Sequence, residues 1–238
     1  VVVLNSVQTE EVLFGQEGLV ENLKPGTVVI SCATVAPTFA IDMEKRCKEF
    51  EVFYLDAPIS GGALKAKNGQ LSIMASGVKE AFQHARPTLD SISETVFELG
   101  DEAGTGSAMK SVNQLLAGVH IAVMAEALTF GISQGISPDK FVEVISKCAG
   151  TSWMLENRAP HIVNGDYKPH SSINIWPKDL GIVLDVALES KFNAPIATAA
   201  LEQFRTAVDM GLGFEDDAAV AKVYAKSANL SLPKKNDV

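Results

Sequence analysis

Three short segments combine residue types that can do chemistry together. The first is Gly104-Thr105-Gly106-Ser107-Ala108-Met109-Lys110-Ser111, with Asn113 just beyond. It approaches two phosphate-binding patterns and fits neither. Both G-x-G-x-x-G and the P-loop need glycine at 109, where Met stands, and the P-loop glycine is what lets the backbone wrap a phosphate. What remains is a small-residue lead-in to an apolar helix carrying Lys110 and Asn113 on one face, three residues apart. Gly106 lies one turn earlier on about the same side and leaves room there. An amine in so apolar a run is costly unless its face opens on a pocket or a partner. Two readings stand open on spacing alone: an amine that moves a proton, or a lysine that snorkels to solvent.

The second segment, Asp56-Ala57-Pro58-Ile59-Ser60-Gly61-Gly62, follows an apolar run. Ligands of open α/β sheets bind at the carboxyl ends of strands. There the Ser60 hydroxyl and the amides of Ser60, Gly61 and Gly62 can meet a carboxylate, although a tight Gly-Gly turn explains the same residues. In the third, Trp176-Pro177-Lys178-Asp179-Leu180, a lysine stands at an expected helix start. A cation there opposes the helix dipole and calls for an anionic ligand or for solvent, whereas Asp179 suits the dipole.

The elements that must position these residues fall into two patterns. Short apolar runs at 1–4, 27–31, 52–56, 71–75 and 95–99 alternate with helical stretches at 8–22, 37–50 and 79–91, and a loop is expected after Asp56. This is the signature of a parallel α/β sheet. After Gly100 the strand signal stops. Residues 107–134 read as one long helix in which Glu126 is the only formally charged residue between Ser111 and Pro138. Helices follow at 138–147, 152–162, 177–189, 195–210 and 218–226. The expected organisation is an α/β domain over 1–103, an all-helical domain over 104–233 and a frayed tail over 234–238.

Composition excludes several classes. Lys and Arg number 20 against 29 Asp and Glu, a net charge of −9, and this acidic balance argues against nucleic acid. Cys32, Cys47 and Cys148 form no C-x-x-C, and His84, His120, His161 and His170 form no H-x-x-x-H, so neither a disulfide framework nor a metal site is indicated. The apolar stretch 115–130 is interrupted by His120 and Glu126 and falls short of the ~20 residues of a bilayer span. A reducing, cytoplasmic setting is expected, an organelle being the alternative.

Taken together, the three segments resemble the signatures of the β-hydroxyacid dehydrogenase family, which includes 3-hydroxyisobutyrate, tartronate-semialdehyde and 6-phosphogluconate dehydrogenases. D-x-P-[VI]-S-G-G matches 56–62, G-x-G-x-x-x-K-x-x-N matches 104–113, and K-D-L matches 178–180. Phrases at 114–122, 152–158, 165–167 and 215–217 are most similar to the L-threonate dehydrogenase branch. The resemblance implies a Rossmann domain followed by a helical domain on a long central helix. It implies hydride transfer between a small hydroxy acid and NAD or NADP, with NAD favoured by that branch. Lys110 is then the general acid/base and Asn113 its orienting partner, while Ser60, Gly61 and Gly62 hold the substrate carboxylate. Leu4, Asn5, Thr34 and Lys178 face the cofactor, Lys178 reaching cofactor or substrate from the helical domain. Trp153 and Arg158 are weaker candidates for the pocket wall. A homodimer or homotetramer is implied, with no nucleic-acid or membrane partner. The family's G-x-G-x-x-G opening, roughly 60–70 residues with two βα units, has no counterpart in this sequence, and the expectation is that an N-terminal piece precedes Val1. Two alternatives accompany this reading: a truncated or non-catalytic dimerising module of the family, and an NADPH-dependent reductase of small semialdehydes.

Overall fold

The computed structural model describes residues 1–235 and shows two compact units, Val1–Asn113 and Gln114–Val238. The first is the α/β part. After α1 (Ser6–Phe14) and a 3-10 turn (Val20–Asn22) come β1 (Val28–Ser31), α2 (Pro37–Glu49) and β2 (Phe53–Asp56). Then follow β3 (Ile59–Ser60), α3 (Gly62–Lys67), β4 (Leu71–Ala75), α4 (Lys79–Ile92) and β5 (Ser93–Glu98). β1 and β2 pair in parallel, with Ser31 opposite Asp56. Val1 extends this ladder: its nitrogen donates to Ile30 O at 2.7 Å and its carbonyl accepts from Cys32 N at 2.9 Å, the bond pattern of a parallel neighbour to Ser31. β4 and β5 are parallel, whereas β3 runs antiparallel to β4. The two sheets meet where Asp56 and Ser76 exchange backbone hydrogen bonds of 3.0 and 2.8 Å.

Several expectations need correction. Only Val1 of the run 1–4 pairs, so no full strand forms there. The helix expected over 8–22 begins at Ser6 and stops at Phe14. Asn5 caps it by accepting from Gln8 N, and the chain turns at Gly15 and Gly18, where a Cβ on Gly18 would lie 2.7 Å from Leu13 O. The expected loop after Asp56 holds a two-residue strand and a six-residue helix, and their antiparallel pairing makes the sheet mixed rather than wholly parallel.

The second unit is helical. Most of α5 (Thr105–Ser133) belongs to it, and its first turns, through Asn113, fold with the α/β unit. α6 (Pro138–Ile145), α7 (Trp153–Val163), α8 (Ile175–Glu189), α9 (Pro195–Asp209), a 3-10 turn (Asp217–Val220) and α10 (Ala221–Ser227) complete it. Ile121, Met124, Ala125 and Leu128 of α5 are sealed in one core with Ile162, Leu180 and Phe204. By length and composition alone, α5 is the one helix among the described residues that could cross a membrane. Its place in this core accounts for part of its apolar character, while Met109, Val112, Leu116, Val123 and Phe130 on the same helix are exposed. Of the expected tail, residues 236–238 lie outside the described residues. Lys234 and Lys235 pack on Gly165, where a Cβ would meet their backbone at 2.6 Å, and Lys235 pairs with Asp166 at 3.1 Å.

Two adjacent buried carboxylates knit this unit together. Asp217 accepts from Arg158 Nε at 2.6 Å and from Trp176 Nε1 at 3.0 Å, joining α7 and α8. Asp216 accepts from His161 Nδ1 at 2.8 Å, from His170 N at 2.9 Å and from Ala218 N at 3.1 Å. Burial pushes the Asp216 carboxyl up, and these hydrogen bonds outweigh it and hold the group below the usual carboxylate range. A folded-state value below the unfolded one contributes stability that is present above about pH 4 and is lost as the pH falls through the folded value. Asp216→Asn is therefore expected to lose less stability on acidification than the parent. Urea midpoints measured from neutral pH down to about pH 3 test this, and parallel curves would refute it.

Candidate active site

The site is built from the end of β2 outward. Asp56, 1% exposed, is the last residue of β2 and lies against the start of α5. Its Oδ2 accepts from Gly104 N at 3.0 Å and Ser107 N at 2.8 Å, and its Oδ1 accepts from Ser107 Oγ at 2.7 Å. Ser76 Oγ accepts from Gly106 N at 2.9 Å. The amides at the start of α5, which have no partner within the helix, are thus taken by a side-chain carboxylate and a hydroxyl from the sheet. Burial raises the Asp56 pKa, and the Ser107 hydroxyl with the Ser107 and Gly104 amides pulls against that rise. Sequence reasoning missed this role. The available signal was an acid at a strand end combined with the small-residue run at 104–107.

Both glycines of that run have steric causes. Gly104 adopts φ +110°, and a Cβ there would lie 2.9 Å from Ile41 Cγ1. A Cβ on Gly106 would lie 2.5 Å from Met74 O and 2.7 Å from Asp56 O. Gly106→Ala must push the helix off the sheet, and the expected destabilisation is about 1–3 kcal/mol. A melting temperature equal to the parent's would show that the backbone yields freely.

Lys110 follows Ser107 by one turn of α5 and is 6% exposed, and Asn113 is half-buried one turn further. Ser111 turns back on the helix through a 3.0 Å bond to Ser107 O. Ser60 pairs in β3 opposite Ser72, and Gly61 and Gly62 adopt φ of +130° and +66° as the chain enters α3. A Cβ on Gly62 would find no atom within 4 Å, so space is open beside that backbone. Thr34 is half-buried in the loop after β1. Leu4 N donates to Gln8 Oε1 at 2.8 Å, and Asn5 spends its side chain and carbonyl on α1. Among the described residues, the Leu4 carbonyl and the Asn5 amide make no hydrogen bond. Val1, β1 and β2 run in parallel, so Leu4, Asn5, Thr34 and the segment from Asp56 to Gly62 all lie beyond the carboxyl ends of parallel segments, where α/β sheets bind ligands.

In the helical unit, α8 starts at Ile175, two residues earlier than expected. Lys178 and Asp179 therefore sit past its first turn, and the helix-dipole account of Asp179 does not apply. Asp179 instead accepts from Lys178 Nζ and from Gln114 Nε2, each at 2.5 Å. Trp153 is 55% exposed, and Arg158 is committed to Asp217.

Residues 104–224 match the NAD-binding domain of NADP-dependent 3-hydroxyisobutyrate dehydrogenase, and residues 1–100 match the NAD-binding domain of 6-phosphogluconate dehydrogenase. An L-threonate dehydrogenase from Cupriavidus necator is 48% identical over 93% of this chain and 75% of its own length. The chain belongs to the 3-hydroxyisobutyrate dehydrogenase-like family. A crystal structure of 3-hydroxyisobutyrate dehydrogenase from Salmonella typhimurium superposes with a TM-score of 0.89 at 42% identity, covering 93% of this chain and 77% of that one. Psf3 in complex with NADP+ and 2-OPP gives a TM-score of 0.84 at 25% identity, covering 91% and 76%. As a member of this family of β-hydroxyacid dehydrogenases, the protein is a nicotinamide-dependent oxidoreductase of hydroxy acids.

Proposed function

We propose that the protein oxidises a short-chain hydroxy acid of the L-threonate type with NAD as the favoured acceptor, and that Lys110 takes the hydroxyl proton. The observation that carries the reading is Lys110 itself, an amine buried one turn beyond a helix start that Asp56 fixes to the sheet. The 48% identity to an L-threonate dehydrogenase supports the substrate class.

The bound nicotinamide supplies the hydride acceptor. In oxidation Lys110 Nζ accepts the proton of the hydroxyl oxygen, and in reduction it returns that proton to the carbonyl oxygen. Asn113 orients the reacting hydroxyl. Ser60 and the amides of Gly61 and Gly62 hold the substrate carboxylate in the open space beside Gly62. On the cofactor side, the Leu4 carbonyl, the Asn5 amide and the Thr34 hydroxyl face the nicotinamide ribose, and Lys178 binds cofactor or substrate. Assembly as a homodimer or homotetramer, a cytoplasmic location and a functional division at 103–104 belong to the same proposal.

The test is a steady-state comparison of L-threonate, D-glycerate and 3-hydroxyisobutyrate with NAD and with NADP, using the complete protein. A kcat/KM for L-threonate at least about tenfold above the others is expected, because a site built to bond extra hydroxyls penalises analogues that lack them. Equal or better turnover of 3-hydroxyisobutyrate would overturn the substrate assignment.

A further inference from the structure

Asp179 is the least expected member of the helical unit's polar groups. Its carboxylate is 3% exposed and bridges two donors, with Oδ1 accepting from Lys178 Nζ and Oδ2 from Gln114 Nε2, each at 2.5 Å. Adjacent residues of a helix do not face one another. The Lys178 stem must therefore bend to bring its ammonium onto its neighbour's carboxylate, and 23% of that side chain remains exposed. Gln114 is itself 7% exposed. It reaches Asp179 because α5 and α8 approach closely one turn later: a Cβ on Gly118 would lie 3.0 Å from both Trp176 Cε3 and Leu180 Cδ2. A buried carboxylate needs both a counter-charge and full hydrogen bonding, and the two donors supply them.

We infer that Asp179 is a positioning residue: tethered by Gln114, its carboxylate holds the Lys178 ammonium in the one orientation that meets the bound cofactor or hydroxy acid. The inference rests on the proposed role of Lys178 in binding. A free lysine side chain samples many rotamers, and its ordering would otherwise be charged to each binding event. Asp179 does that ordering before the ligand arrives. Its loss therefore affects binding more than turnover, and only while Lys178 is present to be positioned.

A double-mutant cycle in the complete enzyme tests this. Lys178→Met is expected to raise the KM of the cofactor or the hydroxy acid about tenfold. Asp179→Asn should raise the same KM several-fold, with kcat unchanged within about a factor of two. The double variant should match Lys178→Met alone, because nothing remains to be positioned. A normal KM in Asp179→Asn beside a raised one in Lys178→Met would overturn the inference and leave the Lys178 role intact. Effects that multiply in the double variant would do the same. A normal KM in Lys178→Met would remove the binding role and the inference with it. If Asp179→Asn melts early, Gln114→Met removes the Gln114 bond to Asp179 instead: the same KM should rise in the parent and stay unmoved in Lys178→Met, and any other pattern rejects the inference.

Discussion

Lys110→Met in the complete enzyme is expected to lower kcat by about 10²-fold or more while the melting temperature holds. The residue is 6% exposed and lies on the apolar α5. Methionine keeps much of its length and belongs in such a setting, so packing survives while the proton carrier is lost. Asp56 and Ser76 fix the helix start, and the substitution leaves their bonds in place. A variant that turns over at a near-normal rate would remove Lys110 from the proton-transfer role. A variant that fails to fold would show instead that the amine is a structural partner.

Asp56→Ala should cost about 3–5 kcal/mol of stability. Four donors, the Gly104 and Ser107 amides and the Ser107 and Ser76 hydroxyls, lose an acceptor at a site closed to solvent. Each unsatisfied buried group costs roughly 1–3 kcal/mol, and partial relaxation keeps the total below the sum. Asp56→Asn preserves shape but places an NH₂ group among donors, so it should fall between parent and alanine variant. Urea denaturation ranks the three, and a loss under about 1 kcal/mol in the alanine variant would show that the α5 start needs no acceptor. Because Lys110 follows this joint by one turn of α5, activity should fall further than the unfolded fraction explains.

Much of this was legible beforehand. Period and punctuation located α2, α4, β4 and the long α5, because each carries its own apolar repeat and stop signals. β3 and α3 were missed for a physical reason: two residues cannot announce a strand, and Ile59 and Ser60 become one only because β4 offers an antiparallel edge. The helix expected over 8–22 failed where Gly15 and Gly18 outweighed apolar spacing. The family signatures pointed to Lys110, Asn113 and the serine–glycine corner as candidates. They were silent on why Asp56, Gly104 and Gly106 are needed, since those residues meet only after the sheet forms. Asp179 looked like a dipole acid because the start of α8 was placed two residues late, at Pro177 instead of Ile175.

The grip of Asp56 on the first turn of α5 bears on how glycine-rich turns are interpreted in other sequences. A helix tip whose amides await a guest anion must be left vacant by its own chain, whereas here the chain has already seated a resident one. An acid closing the preceding strand, with backbone oxygens too near to admit a methyl group, separates a welded joint from a nucleotide cradle. That distinction can be checked by inspection wherever G-x-G opens a helix, before any ligand is assigned to it.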